Sequence, residues 1–332
     1  MRGSWIRGAL ALALVSAMGS ACTPGEKQQT SSEAMGSLCN RTCLIKTANE
    51  YLAALVAHDP RKVSLASNIG FVENLHRMKP GEGLWKTITG GPTNFKIYVP
   101  DVDVQEVAWM GVLHQDGKPI ILALRLKLKD GKITEAEHLI APVETKALPN
   151  LQTPRSGLVA EIPAAQRLPH DTLMLIAATY YDALDDNDGS MAPFAGDCQR
   201  RENGITSAGA GAVLVPSDAD PKGPSVSSDC KAQMDSNFFE YIRYINHRRV
   251  FAADPVTGLA IGFSQFRHAM DNLPYKVKYN DGLLHEITTK NMPFKPFDLP
   301  AAHIFKIGPD KKLHQIEAIG YLAPYKSPTG WE

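Results

Sequence analysis

The sequence predicts an α+β protein in which one unit is used twice. Two pairs of stretches carry that reading. Residues 51–74, YLAALVAHDPRKVSLASNIGFVEN, lie over residues 180–203, YYDALDDNDGSMAPFAGDCQRREN, without a gap. Tyr51 meets Tyr180, Leu55 meets Leu184, Asp59 meets Asp188, and the pair Glu73-Asn74 meets Glu202-Asn203. Further along each copy, LKDGKITEAEHLIAP (128–142) is similar to GPDKKLHQIEAIGYLAP (308–324), with Ile133 over Leu313 and Glu137 over Glu317. A period well over about 100 residues means two related domains rather than a solenoid of short repeats. The length of 332 residues agrees, at roughly 150 residues per domain.

The elements follow in order. Residues 39–58 place Leu44, Ala48, Tyr51, Leu52 and Leu55 at helical spacing. HDPRK ends that helix and starts a short one, because Asp before Pro caps well. GFVENLH reads as a strand and GEGLWKTI as a helical turn. FKIYVPD, EVAWMGVLHQ, PIILALRLKL and KITEAEHLIA then read as strands of a meandering antiparallel sheet, with HQDGKP and KDGK as turns. The second copy restarts with the helix TLMLIAATYYDALDDND. It carries two insertions, a Gly-rich one at 204–229 and a second at 268–297. The expected division is 1–36 signal peptide and tether, 37–145 first domain, 146–170 Pro-rich linker and 171–332 second domain.

The N-terminus, MRGSWIRGALALALVSAMGSAC, has two arginines, an apolar run and then small residues, the layout of a secretory signal peptide. Its end resembles a bacterial lipoprotein signal, with Cys22 as the lipidated residue, although Gly19 stands where leucine is usual. Gly19-Ser20-Ala21 also suits ordinary cleavage, so both endings stay open. Export and anchoring at the envelope are the expectation, with the membrane touched only through the N-terminal lipid. Without Cys22, four of the five cysteines remain, an even number suited to an oxidising compartment. Cys198 and Cys230 bracket the Gly-rich insertion and are expected to be bridged, since closing a long loop stabilises most. Cys39 and Cys43 lie one helical turn apart, within reach of a local bridge. Paired C-x-x-C knuckles are missing, so no metal is expected.

A formal net charge of zero and a pI near 7.1 argue against nucleic acid as partner. No P-loop, dinucleotide fingerprint, H-E-x-x-H or G-x-S-x-G is present, and no cofactor is expected. The DDNDGS run fails the register of a calcium loop, because counting back from Gly189 puts Leu184 in the first ligand position.

The Tyr-x-Ala-Ala-Leu helix, the helix-breaking Asp, the strand ending in Glu-Asn and the closing Asp-Gly-Lys-Ile strand together resemble the SnoaL-like branch of the nuclear-transport-factor-two-like superfamily. The ketosteroid isomerases belong to that superfamily. The resemblance implies cone-shaped domains, each a curved sheet wrapped by helices around a pocket. It implies a helix tyrosine as oxyanion donor, here Tyr180 or Tyr51. It puts a late-strand acid near His303, with Leu124 in the first copy, and a base at Asn203, with Asn74 in the first copy. Asparagine abstracts no proton. Glu202 is adjacent, but an ideal strand turns it to the opposite face.

Asp197, Arg200 and Arg201 distinguish the second copy, so that copy is the expected site. Catalytic candidates are Tyr180, His303, Asp197, Asn203 and Glu202. Strand alternation sends one of Arg200 and Arg201 toward the pocket and the other to solvent. NHRRVFAAD adds His247, Arg248 and Arg249, which bind a carboxylate or close the acidic helix by ion pairs. His268 is a further pocket candidate. Ligand-binding candidates are therefore Arg200, Arg201, Arg248 and His268. The expected function is a cofactor-independent lyase or isomerase, working by acid/base catalysis on a small, mostly apolar molecule, aromatic ones included. The alternative is a non-catalytic envelope lipoprotein that binds a small ligand or protein partner.

Overall fold

A computed structural model describes residues 38–213 and 223–332. The expected signal peptide, Cys22 and the tether lie outside the described residues, as does the middle of the first insertion. No helix among the described residues is long and apolar enough to cross a membrane.

The first half begins with helix α1 (Arg41–Val56). Asn40 caps it by accepting from the Cys43 N–H at 2.9 Å. Then come strands β1 (Leu65–Glu73) and β2 (His76–Met78), the short helix α2 (Leu84–Thr87), and β3 (Ile88–Gly90). Strands β4 (Lys96–Asp101), β5 (Glu106–Gln115), β6 (Lys118–Lys129) and β7 (Lys132–Pro142) complete it. The segment 143–169 contains the short helix α3 (Ser156–Val159). The second half has α4 (His170–Asp185), β8 (Phe194–Glu202), β9 (Ile205–Ala208) and the short helix α5 (Cys230–Met234). Strands β10 (Tyr244–Asp254), β11 (Leu259–His268), β12 (Tyr275–Lys278) and β13 (Leu284–Ile287) follow. The chain closes with β14 (Phe297–Ile307), β15 (Leu313–Gly320) and β16 (Ala323–Pro324).

Five strands follow the same order in the two halves, β2-β1-β7-β6-β5 and β9-β8-β15-β14-β11; the first half then carries β3 and β4 on β5, the second β10 on β11 and β16 on β14. The registers are alike too. His138 pairs Leu124, and Ala318 pairs His303. The Asn74 N–H donates to the His138 carbonyl, as the Asn203 N–H does to Ala318. The α+β class is therefore as the sequence implied, with one difference. The sheets are mixed, because β1 runs parallel to β7 and β8 parallel to β15. The meander itself is antiparallel; the first strand of each half joins it from outside, beside the last, and pairs antiparallel with the next short strand.

Each half has its own core on the helix side of its sheet. α1 buries Leu44, Ala48, Tyr51, Leu52 and Leu55, and α4 buries Leu173, Ala177, Tyr180, Tyr181 and Leu184. A third apolar cluster joins the opposite faces of the two sheets, Ile97, Val99 and Met110 of the first half packing with Phe251, Ile261 and Ile304 of the second. Polar bonds cross the same junction. Glu137 takes both ends of the Arg249 fork at 2.6 and 2.9 Å. Arg41, the first residue of α1, pairs with Asp254 at 2.9 Å, and His170, the first residue of α4, pairs with Asp101 at 2.7 Å.

The Pro-rich segment is no free spacer. Ala147, Leu151, Leu158 and Ile162 are buried. Arg155 reaches the carbonyls of Gln199 and Ile316 and the carboxylate of Glu317. Burial pushes Glu317 up to about 7, with Arg155 and Arg201 opposing.

Candidate functional site

A pocket of about 210 Å³ opens in the second half between α4 and the concave sheet. Tyr180 comes from α4, Glu202 and Asn203 from the end of β8, His303 from β14 and His268 from β11. Phe239, Tyr241 and Ile242 come from the segment after α5 and wall one side. That segment follows the first insertion, which the first half lacks.

Matched positions show how the two halves differ at this place. In the first half Tyr51 meets His138 Nε2 at 2.9 Å, and His138 Nδ1 meets Glu73 at 2.9 Å. Glu73 also accepts the Leu84 N–H of α2 at 2.9 Å. Trp85 packs edge-on to Tyr51, with centroids 5.2 Å apart. In the second half Ala318 replaces His138, so the imidazole and its bonds are missing from the corresponding volume. Glu202, the partner of Glu73, is left with a side chain 51% exposed.

The first half was expected to lack a histidine here because Leu124 stands where the second half has His303. It has one nevertheless, on the neighbouring strand. Glu73 and His138 were not singled out from the sequence. The signal was present, since setting Glu137 over Glu317 sets His138 over Ala318.

The electrostatics of the pocket follow from burial. His303 is held at about 3 by burial and by the Arg200 charge, and His268 at about 4 by burial. Both rings are neutral at pH 7. Burial raises Tyr180 to about 12; Arg200 acts against that rise and Glu202 adds to it. Burial also raises Tyr181 and Tyr241. Tyr181, one residue beyond the expected tyrosine, is the one whose hydroxyl approaches His303 Nδ1, at 3.4 Å. His268 is stacked between Phe297, at 4.0 Å, and Tyr241, at 5.2 Å, and its Nδ1 is buried without a hydrogen-bond partner.

The structure sorts the candidates. Tyr180, His303, Glu202, Asn203 and His268 share the pocket. Glu202 was expected to point away from Asn203. It does not, because β8 ends at Glu202 and Asn203 turns with φ 47°, which breaks the strand alternation. Arg200 is buried behind the pocket and pairs with Glu202 at 2.8 Å. Arg201 points the other way, as alternation requires, but toward the Asn150 carbonyl of the linking segment rather than to solvent. Asp197 lies outside the pocket on the exposed surface, 2.7 Å from His314. Arg248 lies outside it too, its guanidinium held by Asp182 and Asp185 of α4. Neither lines the cavity; Asp197 is partnered by His314, and Arg248 closes the acidic helix by ion pairs, one of its two expected roles.

The expected bridge between Cys198 and Cys230 is formed, and Cys39 and Cys43, one helical turn apart, are bridged as well. The first ties β8, two residues before Arg200, to α5. Asp101, Asp103 and His170 form a cluster of metal-binding residue types. Both Asp101 oxygens are already used, Oδ1 by the N–H groups of Asp103 and Val104, Oδ2 by the Ala253 N–H and His170. The cluster is a junction between the halves, not a cation cradle.

A family model described as "Domain of unknown function (DUF8021)" matches residues 166–320. That range runs from just before α4 to the end of β15 and takes in every residue lining the pocket. No curated protein matches the chain. Among solved structures it is similar to an NTF2-like protein of unknown function from Cytophaga hutchinsonii, at 16% identity over 30% of this chain and 90% of that one, TM-score 0.25. It is similar to a hypothetical protein of ketosteroid isomerase-like fold from Catenulispora acidiphila, at 14% identity over 28% and 84%, TM-score 0.23. It is also similar to SalBIII, an epoxide hydrolase/cyclase-like enzyme of pyran-ring formation in salinomycin, at 12% identity over 46% and 92%, TM-score 0.26.

Proposed function

We propose that the second half is a cofactor-independent isomerase or lyase acting by proton transfer on a small, mostly apolar carbonyl compound. The observation that carries this is the meeting of one accessible carboxylate, Glu202, with a buried tyrosine, Tyr180, in a pocket walled by aromatic rings. Glu202 takes a proton from the carbon beside the carbonyl. The electron pair moves onto the carbonyl oxygen, which accepts a hydrogen bond from the Tyr180 hydroxyl. In an isomerisation the proton returns to a different carbon; in an elimination a leaving group departs from the next carbon with the electron pair. A preset donor in a water-poor site stabilises the developing oxyanion without reorganising, and a positioned carboxylate contributes as general base. Neutral His303 and His268 add polar contacts without adding charge. We further propose that the chain is exported, a reading supported by its two disulfides.

The test is deuterium exchange. Small enolisable ketones, aliphatic and aromatic, are incubated with the protein in D2O and followed by NMR. Catalysed exchange that vanishes in Glu202→Gln supports the reading. Saturable binding of such ketones with no exchange above the Glu202→Gln background sinks it and leaves a non-catalytic binding protein.

A further inference from the structure

Arg200 has no counterpart in the first half. Its place on β8 opposite Ile316 corresponds to Phe71 on β1 opposite Ala136. An arginine there is 2% exposed, and a charge so deeply buried persists only when its donors are satisfied. The second half provides partners for two of its three nitrogens, from residues at the edge of the first insertion and beyond it. Nε lies 3.0 Å from Ser207 Oγ of β9, and Nη2 lies 2.6 Å from Gln233 Oε1 of α5. Gln233 is fixed in turn by donating to the Ser207 carbonyl at 2.8 Å. The guanidinium stacks 5.2 Å from the Phe239 ring. The Cys198–Cys230 bridge ties the strand that carries Arg200 to the helix that clamps it.

Two features of the clamped group face the pocket's chemistry. Its Nε is paired with the Glu202 carboxylate at 2.8 Å. Its Nη1 is buried without a hydrogen-bond partner; Tyr180 lines the same pocket as Glu202, and the guanidinium charge acts on its hydroxyl. We infer that Arg200 is the positioning residue of this pocket: it polarises the Tyr180 hydroxyl and holds the Glu202 carboxylate in place, for uncharged substrates whose carbonyl oxygen gains negative charge. This rests on the reading of the pocket given above. A fixed cation beside the phenol oxygen draws density from the O–H, so the hydroxyl donates more strongly as the substrate oxygen becomes negative. Guanidinium keeps its charge throughout, and the fork geometry fixes its direction. The Arg200–Glu202 pair sums to zero and both pocket imidazoles are neutral. An uncharged molecule therefore enters without displacing a counter-ion.

The experiment reads Tyr180 directly and needs no substrate. A ring-fluorinated tyrosine, whose phenol is intrinsically more acidic, is placed at position 180 of the full chain. Its ionisation is followed by fluorine NMR against pH in three backgrounds: native, R200M and R200K. The expected result is an ionisation constant on the order of tenfold smaller in R200M, one pH unit, with R200K in between because it keeps the charge without the fork. R200K also supplies the readout if R200M does not fold. An unchanged midpoint in the folded Arg200 variants overturns the inference. A pocket that exchanges no proton leaves this titration interpretable, so the two readings fail separately.

Discussion

Asn203 and Asn74 hold the same place in the two halves and make the same bonds. Asn203 donates through Nδ2 to the Gly320 carbonyl at 2.9 Å and accepts the Gly320 N–H at 2.9 Å. Asn74 does so with Ile140, at 3.2 and 2.7 Å. Both sit at positive φ, 47° and 46°, which asparagine tolerates better than most residues. The side chain imitates a strand, satisfying the backbone of the neighbouring last strand where β8 and β1 end. Asn203 lines the pocket, but its amide is occupied.

Asn203→Ala therefore costs stability, about 1–3 kcal/mol for the buried backbone groups left without partners. Glu202→Gln leaves the fold intact and removes proton transfer. Thermal melts and deuterium exchange on both variants separate the roles. Lost exchange in Asn203→Ala at an unchanged melting temperature would reverse the assignment.

Tyr180→Phe and Tyr51→Phe divide the same way. The Tyr51 hydroxyl belongs to the buried chain with His138 and Glu73, so its loss lowers stability by about 1–3 kcal/mol and leaves pocket function nearly intact. Tyr180→Phe, like His303→Ala, weakens ligand binding or turnover by a similar free energy. Equal functional losses from the two tyrosine variants would show that both halves act.

Breaking the Cys198–Cys230 bridge with paired serines loosens α5, and with it Gln233 and the wall carrying Phe239 and Tyr241. Removing such a bridge costs about 2–5 kcal/mol. Pocket binding should fall along with the melting temperature. A free thiol at either position in a non-reduced digest would contradict the bridge itself.

The junction between the halves responds to pH through His170. Burial opposes its charge, but Asp171 and Asp101 outweigh that and raise its pKa. A base whose folded pKa is raised binds its proton more tightly in the folded state. The stabilisation is fully present below the unfolded value, near 6.5, and fades as pH rises through the folded value. The melting temperature of the native chain should decline across that window more than that of His170→Gln. Parallel curves would remove His170 from the account.

His303 and His268 predict the opposite behaviour inside the pocket. Held at about 3 and about 4, neither changes charge between pH 5 and 8. A step in ligand affinity centred near 6.5, and abolished by His303→Gln, would show that the imidazole is exposed to water after all.

The like order of elements in the two halves was legible in the sequence because helices and strands leave local periods. Tyr51 over Tyr180 and Glu73-Asn74 over Glu202-Asn203 are visible without any contact map, and the same spacing placed α1, α4 and the meander. The Cys198–Cys230 bridge was legible because two cysteines bracket a flexible insertion. The parallel pairing of β1 with β7 was not, since strand partners separated by a whole meander leave no mark in either strand. Nor was the division of labour between the halves. It depends on which side chain fills one volume, His138 on β7 or empty space over Ala318, and on whether α2 or the α5 segment closes the rim. The same holds for the arginines. Arg200, Arg201 and Arg248 read alike as charges, and only packing separates the one clamped behind the pocket from the one against the linking segment and the one paired with α4. Periodicity is a property of neighbours in the chain, whereas a site is made by neighbours in space.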